Sequence, residues 1–214
     1  MRNYLLNLII NKNRRIFVSR FFTTSGHTSK ESDVLSKKHA EIQHSLYSPL
    51  QLPETDLFTF AYNSCKAWKN KTFTQCAVTG KTYTYAQTLD SALRWGSAVK
   101  KLLPNRDDGG NSTIAFICSN SPDYVPLILG SIAAGAIVSP ISPLYTPEEA
   151  ANQLRESQAE LLVVDSLYES NVDAILKLLG KSLPVVVNGV SEQGRPNAQE
   201  VLMDRNAKML DIDY

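Results

Sequence analysis

Two short stretches of this 214-residue chain carry the residue types of a phosphate-binding loop. Gly80-Lys81-Thr82 matches the end of the pattern G-x-x-x-x-G-K-[ST], in which backbone N–H groups wrap the phosphates and the lysine neutralises them. The first glycine of that pattern would stand at position 75, which is Gln75. The surrounding TFTQCAVTGKTYTY also reads as a hairpin, not as a strand running into a helix. Thr23-Thr24-Ser25-Gly26-His27-Thr28-Ser29-Lys30 also ends in lysine, but it has one glycine and no strand before it. A loop that wraps phosphates needs several N–H groups held in fixed directions, commonly by more than one glycine. Paired carboxylates occur at Glu148-Glu149 and Asp107-Asp108. The first pair falls in the first turn of an expected helix, where acid stabilises the dipole. The second falls in a glycine-rich loop, and both read as solvated charge. The three cysteines, Cys65, Cys76 and Cys118, form no C-x-x-C pair and are odd in number, which argues against a disulfide framework or a zinc site. The three histidines, His27, His39 and His44, all precede the apparent folded region, which argues against a histidine-based triad. On residue chemistry alone, no catalytic, cofactor-binding or metal-ligating residue is assigned.

The elements around these residues are easier to read. A first helix is expected at about Thr55–Trp68. The hairpin follows, with Thr79-Gly80 at its turn. Thr84-x-x-Gln87 is a capping box opening the next helix, whose stripe Tyr85, Leu89, Ala92, Gly96, Val99 and Leu103 gives it one apolar face. Gly96 costs roughly 1 kcal/mol relative to alanine in a helix, so it marks a close crossing. Asn105 to Ser112 is a loop by composition. TIAFICS (Thr113–Ser119) reads as a strand buried on both faces. Ser121-Pro122-Asp123 starts a helix, with serine as N-cap and proline at the first helical position. That helix runs to about Gly135, and a strand at Ala136–Ser139 follows. Thr146-Pro147-Glu148-Glu149 starts another helix, to about Ser157. Strand Glu160–Val164, a helix from Leu167 to Leu179 stopped by Gly180, and strand Pro184–Val187 complete a βαβαβαβ run. Continuous apolar strands alternating with helices predict an α/β fold with a mostly parallel sheet covered by helices.

Charge is unevenly spread. Residues 1–30 hold six basic residues and no acidic one, whereas residues 31–214 hold 16 basic against 21 acidic. The mildly acidic body offers no basic face for nucleic acid. The first thirty residues read as a mitochondrial presequence, and Arg20-Phe21-Phe22-Thr23-Thr24-Ser25 matches the Arg-x-Phe-x-x-Ser pattern at which such segments are trimmed. A secretory signal fits worse, because the apolar run Tyr4–Ile10 is short and is broken by Asn7. The matrix is therefore the expected location, with peroxisome or cytoplasm as alternatives. Residues 31–54 read as linker and 55–214 as the folded portion. The longest apolar run, Leu127 to Ile141, is short for a bilayer and reads as a buried helix followed by a buried strand, so no membrane span is expected.

The order of these pieces resembles the amino-terminal part of the AMP-forming acyl- and aryl-CoA ligases, the adenylate-forming group of 4-coumarate–CoA ligase and luciferase. The resemblance rests on Tyr83-Thr84-Tyr85, on Ile114 through Tyr124, on Leu129-Gly130 through Val138, and on Pro143-Leu144-Tyr145-Thr146-Pro147-Glu148-Glu149, and covers about residues 55–190. Ser142 departs from the Asn that many relatives carry there. The resemblance implies attack of a carboxylate on ATP to give an acyl-adenylate, then transfer to CoA, with Mg²⁺ and a glycine-rich loop of the form Ser/Thr-Gly-Ser/Thr-Thr-Gly-x-Pro-Lys. That loop is not in the sequence, nor are the later Tyr-Gly-x-Thr-Glu and ribose-binding segments or the small carboxy-terminal domain. ATP, Mg²⁺, CoA and a carboxylic acid are thus implied for a full-length relative, and the expectation for this chain is a truncated ligase, inactive alone. The alternatives are a non-catalytic binding or regulatory module and an unrelated α/β binding protein. In some relatives the loop at Pro143–Tyr145 approaches CoA. The resemblance also implies that the stripe from Tyr85 to Leu103 packs on a second sheet beyond position 214, which would leave it uncovered here and favour self-association or chaperone binding.

The charge asymmetry generates a first prediction. Residues 1 to about 30 are removed on import into mitochondria, and amino-terminal sequencing of the protein recovered from cells reads a start near position 30. An intact Met1 on cytosolic protein would refute it.

Overall fold

The computed structural model describes residues 46–103, 111–204 and 206–211. The presequence-like segment, most of the linker, the three histidines and Asp107-Asp108 lie outside the described residues. The chain divides into Met1–Gln51, of which the described part (46–51) is exposed and without helix or strand, and a compact unit, Leu52–Tyr214. The elements below belong to the second unit.

Helix α1 (Leu57–Cys65) begins at Asp56, whose carboxylate accepts a hydrogen bond from the Thr59 N–H at 2.9 Å. A 3₁₀ turn, Lys66–Trp68, extends it. Strands β1 (Thr72–Gln75) and β2 (Thr82–Thr84) pair antiparallel as the expected hairpin. Helix α2 (Tyr85–Leu102) opens on the predicted capping box, with both reciprocal hydrogen bonds between Thr84 and Gln87 formed. There follow β3 (Thr113–Ile117), α3 (Tyr124–Ala133), β4 (Ile137–Pro140), α4 (Pro147–Glu156), β5 (Leu161–Asp165), α5 (Val172–Leu179), β6 (Val185–Asn188) and α6 (Ala198–Met203). The strands β3 to β6 form one parallel sheet in the order β4-β3-β5-β6. Residues Phe116, Leu161, Val163 and Val186 face α2, α3 and α6 on one side. Ala115, Ile117, Leu162 and Val164 face α4 and α5 on the other. Every residue of β3 and β5 is buried, as continuous apolar runs in a two-faced parallel sheet require.

Four expectations need correction. Helix α3 starts at Tyr124, not at Pro122. The Ser121 hydroxyl does accept from the Tyr124 N–H, at 3.3 Å, but Ser121–Asp123 is a turn. Asp123 occupies the N-cap and makes no capping bond, because its carboxylate is taken by Lys81, Tyr83 and Gln199. Second, β4 is not a buried strand: it is a sheet edge, with Ile137 exposed and Pro140 at its end. Apolar composition cannot tell an edge from a centre, since order in the sheet is set by crossovers. Third, the helix expected from Leu167 is a 3₁₀ turn over Ser166–Asn171 before α5 begins.

The fourth correction is the largest. The stripe of α2 has its partners inside the chain: Leu89, Ala92, Val99 and Leu103 are all buried. Leu89 and Ala92 pack with Phe58 of α1, while Val99 and Leu103 join the core beneath the sheet. The expected close crossing is present. A β-carbon on Gly130 of α3 would lie 2.1 Å from the Ala92 carbonyl oxygen, and one on Gly96 would lie 2.8 Å from the Gly130 carbonyl oxygen. Beside the crossing, the indole N–H of Trp95 donates to the Ser131 hydroxyl at 3.0 Å, and that hydroxyl donates to the Leu127 carbonyl at 2.8 Å.

Gly130→Ala therefore forces two backbones apart and is expected to cost about 3 kcal/mol, the upper end of ordinary overpacking. Denaturant titration reads it as a lower midpoint with an unchanged slope. Amides of α2 are expected to exchange with solvent water as slowly as those of β3, and fast exchange confined to α2 would contradict the packing described.

Candidate functional site

The hairpin turn is a closed structure. The Gly80 N–H donates to the Cys76 carbonyl at 2.9 Å, the Cys76 N–H to the Lys81 carbonyl at 2.8 Å, and the Lys81 N–H to the Thr79 hydroxyl at 3.3 Å. The Thr79 N–H reaches the Cys76 sulfur at 3.4 Å. These amides are spent within the turn and cannot converge on a phosphate. The Lys81 ammonium is spent as well, on Asp123 at 2.7 Å. Asp123 is buried and also accepts from the Tyr83 hydroxyl at 2.6 Å and the Gln199 amide at 3.0 Å. Burial, with Asp123 adding to it, pushes the Tyr83 phenol well above its ordinary value. The cluster pins the hairpin to α3 and α6, so its role is architectural.

The other sequence-level candidates are placed as follows. Glu149 completes the capping box of α4, accepting from the Thr146 N–H at 2.9 Å, and Glu148 shares that first turn. Pro143–Tyr145 is a tight loop with Leu144 and Tyr145 exposed, in which the Leu144 N–H donates to the Ser142 hydroxyl at 3.3 Å, so the serine supports this turn. Cys118 is buried; burial first, and then the charge of Asp165, raise its thiol far above the ordinary range. Among the described residues no group of three His, Cys, Asp or Glu is placed to hold a metal ion.

One polar arrangement was not anticipated. The chain leaves β3 to one side, toward β4, and returns to place β5 and β6 on the other, so the sheet reverses direction between β3 and β5. In open parallel sheets, ligands bind outside the carboxyl ends of the strands at such a reversal. Here that point is filled by the protein's own groups. Asp165 accepts from the Ser119 N–H at 2.6 Å and from the Asn188 amide at 2.8 Å, and the Ser119 and Tyr168 hydroxyls lie 2.9 Å apart. Next to it, buried Glu169 accepts from the Ser191 hydroxyl at 2.6 Å, the Glu192 N–H at 2.9 Å and Arg195 at 3.0 Å, while Arg195 also pairs with Asp173. Ser166, Leu167, Glu169 and Val190 line a shallow depression above this pair of loops. Three apolar strands each end in a polar residue: FICS, LLVVD and VVVN. That regularity is visible in the sequence, but the pairing of these ends depends on strand order, which is not.

Comparison with known proteins places this geometry. Residues 62–210 match the model of the AMP-binding enzyme family. The chain belongs to that family. 4-Coumarate–CoA ligase 1 of Petroselinum crispum is 31% identical over 127 residues, which is 59% of this chain and 22% of the relative. 4-Coumarate–CoA ligase 3 of Arabidopsis thaliana is 30% identical over 142 residues, 64% of this chain and 24% of the relative. The chain thus spans less than a quarter of the length of these relatives and corresponds to the amino-terminal part of the AMP-forming CoA ligases. In fold it is similar to the benzoate CoA ligase of Burkholderia xenovorans LB400 (TM-score 0.61, 18% identity, 73% of this chain and 29% of the other). It is also similar to a luciferase-like enzyme of the mealworm Zophobas morio (TM-score 0.65, 17% identity, 78% and 40%). MatB of Rhodopseudomonas palustris, of the same fold (TM-score 0.56), has been solved with ATP bound.

The AMP-binding family implies ATP, and the described residues do not fit it as a self-sufficient site. The one lysine in a glycine-lysine-threonine context is held by a buried carboxylate, and the amides beside it are closed on themselves. No step through the nucleotide is derived from these residues.

The Glu169 cluster carries a pH prediction. Burial alone would raise this carboxyl, but the hydrogen bonds from Ser191 and Glu192 and the charge of Arg195 outweigh it and hold the group below its ordinary value. A depressed carboxyl stabilises the fold above its unfolded value, and that contribution is lost as pH falls through the folded value. Glu169→Gln is expected to cost about 2 kcal/mol at neutral pH by losing charge-assisted hydrogen bonds, while Arg195 keeps its pairing with Asp173. It should also flatten the acid limb of the stability profile, read by chemical unfolding from neutral to mildly acidic pH.

Proposed function

We propose that the chain is the amino-terminal section of an AMP-forming acyl- or aryl-CoA ligase whose parent reaction joins a carboxylate to CoA at the expense of ATP, and that these 214 residues do not perform it alone. The observation that carries the reading is the family match over residues 62–210, on a fold shared with CoA ligases. The proposed inactivity follows from charge. Adenylation develops negative charge on the α-phosphate, which needs preorganised donors and a cation to accelerate the step. The Gly80-Lys81-Thr82 turn, which carries the residue types of such a loop, is closed by its own hydrogen bonds. Mg²⁺ and CoA belong to the proposal for the whole ligase, as does a mitochondrial matrix location, supported by the acid-free, basic first thirty residues.

A second reading is a non-catalytic binding or regulatory module. The observation that favours it is the burial of the α2 stripe, because a section able to cover its own apolar faces can persist as a separate protein.

Purified chain mixed with ATP, Mg²⁺, CoA and a panel of fatty and aromatic acids is expected to release no acid-dependent pyrophosphate above a protein-free control. Release of pyrophosphate would overturn the proposed inactivity. The transcript beyond codon 214 separates the two readings: an in-frame run into a Thr-Gly-x-x-Gly-x-Pro-Lys loop supports the ligase section, and a stop codon in every transcript supports the module.

A further inference from the structure

We propose that the segment Leu57–Phe73, together with the start of the hairpin, is a docking surface for an anionic lipid membrane. From Leu57 to Leu89 the chain has no acidic residue and four lysines, Lys66, Lys69, Lys71 and Lys81, although the body of the protein is acidic overall. Lys81 is directed inward to Asp123. Lys66 lies over the Tyr62 ring at 5.1 Å, and Lys69 and Lys71 stand in sequence between the exposed aromatic residues Trp68 and Phe73. Helix α1 turns Phe58 into the core and leaves Leu57 57% and Phe60 48% exposed; Trp68 is 48% exposed and Phe73 38%. The Lys71 ammonium lies 3.9 Å from the Trp68 ring centroid, and the Phe73 ring meets Tyr85 edge-on at 4.8 Å. Tryptophan beside lysine suits the boundary between headgroups and acyl chains, where the ring is half wet and the ammonium reaches lipid phosphate. An anionic surface attracts each nearby lysine independently.

The mounting is rigid. The Lys71 N–H donates to the Trp68 carbonyl at 2.7 Å, while the Lys69 and Lys71 carbonyls accept from Ala86 and Tyr85 at the start of α2, at 3.0 and 3.1 Å. Little ordering is then lost on docking, and the surface is held by the longest of the described helices. No described helix is long and apolar enough to cross a membrane, so the mode is interfacial. The inference stands apart from the ligase reading, since binding needs neither ATP nor turnover.

The chain reports on itself. It has two tryptophans, of which Trp95 is buried and hydrogen-bonded to Ser131, so a change in emission on binding comes from Trp68. Full-length chain is titrated with vesicles of phosphatidylcholine containing one-third phosphatidylglycerol, and with pure phosphatidylcholine, at low and high salt. The expected result is a blue shift on the anionic vesicles alone, weakened by salt. Lys69→Glu with Lys71→Glu is expected to lower the partition coefficient at least about tenfold, and Phe60→Ser with Trp68→Ser to weaken binding while the circular dichroism is unchanged. Trp68→Phe should abolish the shift but keep most of the binding. Residues 1–30 are basic too, so vesicle binding without the Trp68 shift, or binding indifferent to the Lys69 and Lys71 reversals, would overturn the proposal. So would a Trp68 emission already blue in lipid-free protein that proves to be a dimer, which would mean that a second copy covers the surface.

Discussion

Two helices of this protein meet with no side chain between them. Where α2 crosses α3, Gly96 and Gly130 bring the backbones so close that a single methyl group on Gly130 would collide with the Ala92 carbonyl. The rest of the unit is arranged around that approach. It draws Trp95 down to Ser131, it lets α1 lie across both helices through Phe58, and it sets the height of the helical layer over β3 and β5. The Leu210 N–H donates to the Leu93 carbonyl at 3.0 Å on the same helix, so the end of the described chain is tied to the same place. Removing any one apolar side chain would leave a cavity; enlarging either glycine would move a layer.

Around this crossing, polar groups are consumed in pairs that join elements distant in sequence. Asp123 ties the hairpin to α6, Asp165 joins the ends of three strands, and Glu169 closes the loop after β6. Each is buried and each is matched by donors, which is the condition under which a buried carboxylate adds definition without a large penalty. The same satisfaction leaves these three carboxylates engaged with donors from the protein itself. In the relatives compared above this section amounts to between under a quarter and two-fifths of the chain. Its residues here build a platform.

Local signals were legible in the sequence wherever a few neighbouring residues decide the outcome. Both capping boxes, the hairpin turn at Gly80 and the left-handed stop at Gly180 follow from short-range geometry, whereas Gly96 marked a close crossing without naming its partner Gly130. The family was legible too, because its motifs run in order through the chain. What escaped the sequence was decided at long range. Asp123 has the composition of a helix-start acid, yet Lys81, 42 residues away, claims it. Ile137 looks like a core strand residue and stands on an edge. The stripe of α2 was readable as apolar, but nothing local says that α1, α3 and the segment near Leu210 would cover it.

The tie between Leu93 and Leu210 also has a bearing on synthesis. A ribosome delivers residues in order, and α2 emerges some hundred residues before α6 and Leu210, an interval of about 5–20 s at ordinary elongation rates. Through that interval, part of the surface destined for α6 and Leu210 faces solvent on the nascent chain. The crossing with α3 is completed first, since α3 lies close behind in sequence, and it shelters the middle of the helix while the rest waits. The order of burial therefore runs outward from the two glycines, and a pause or slow codon after α3 would give that pair time to set before the sheet is finished.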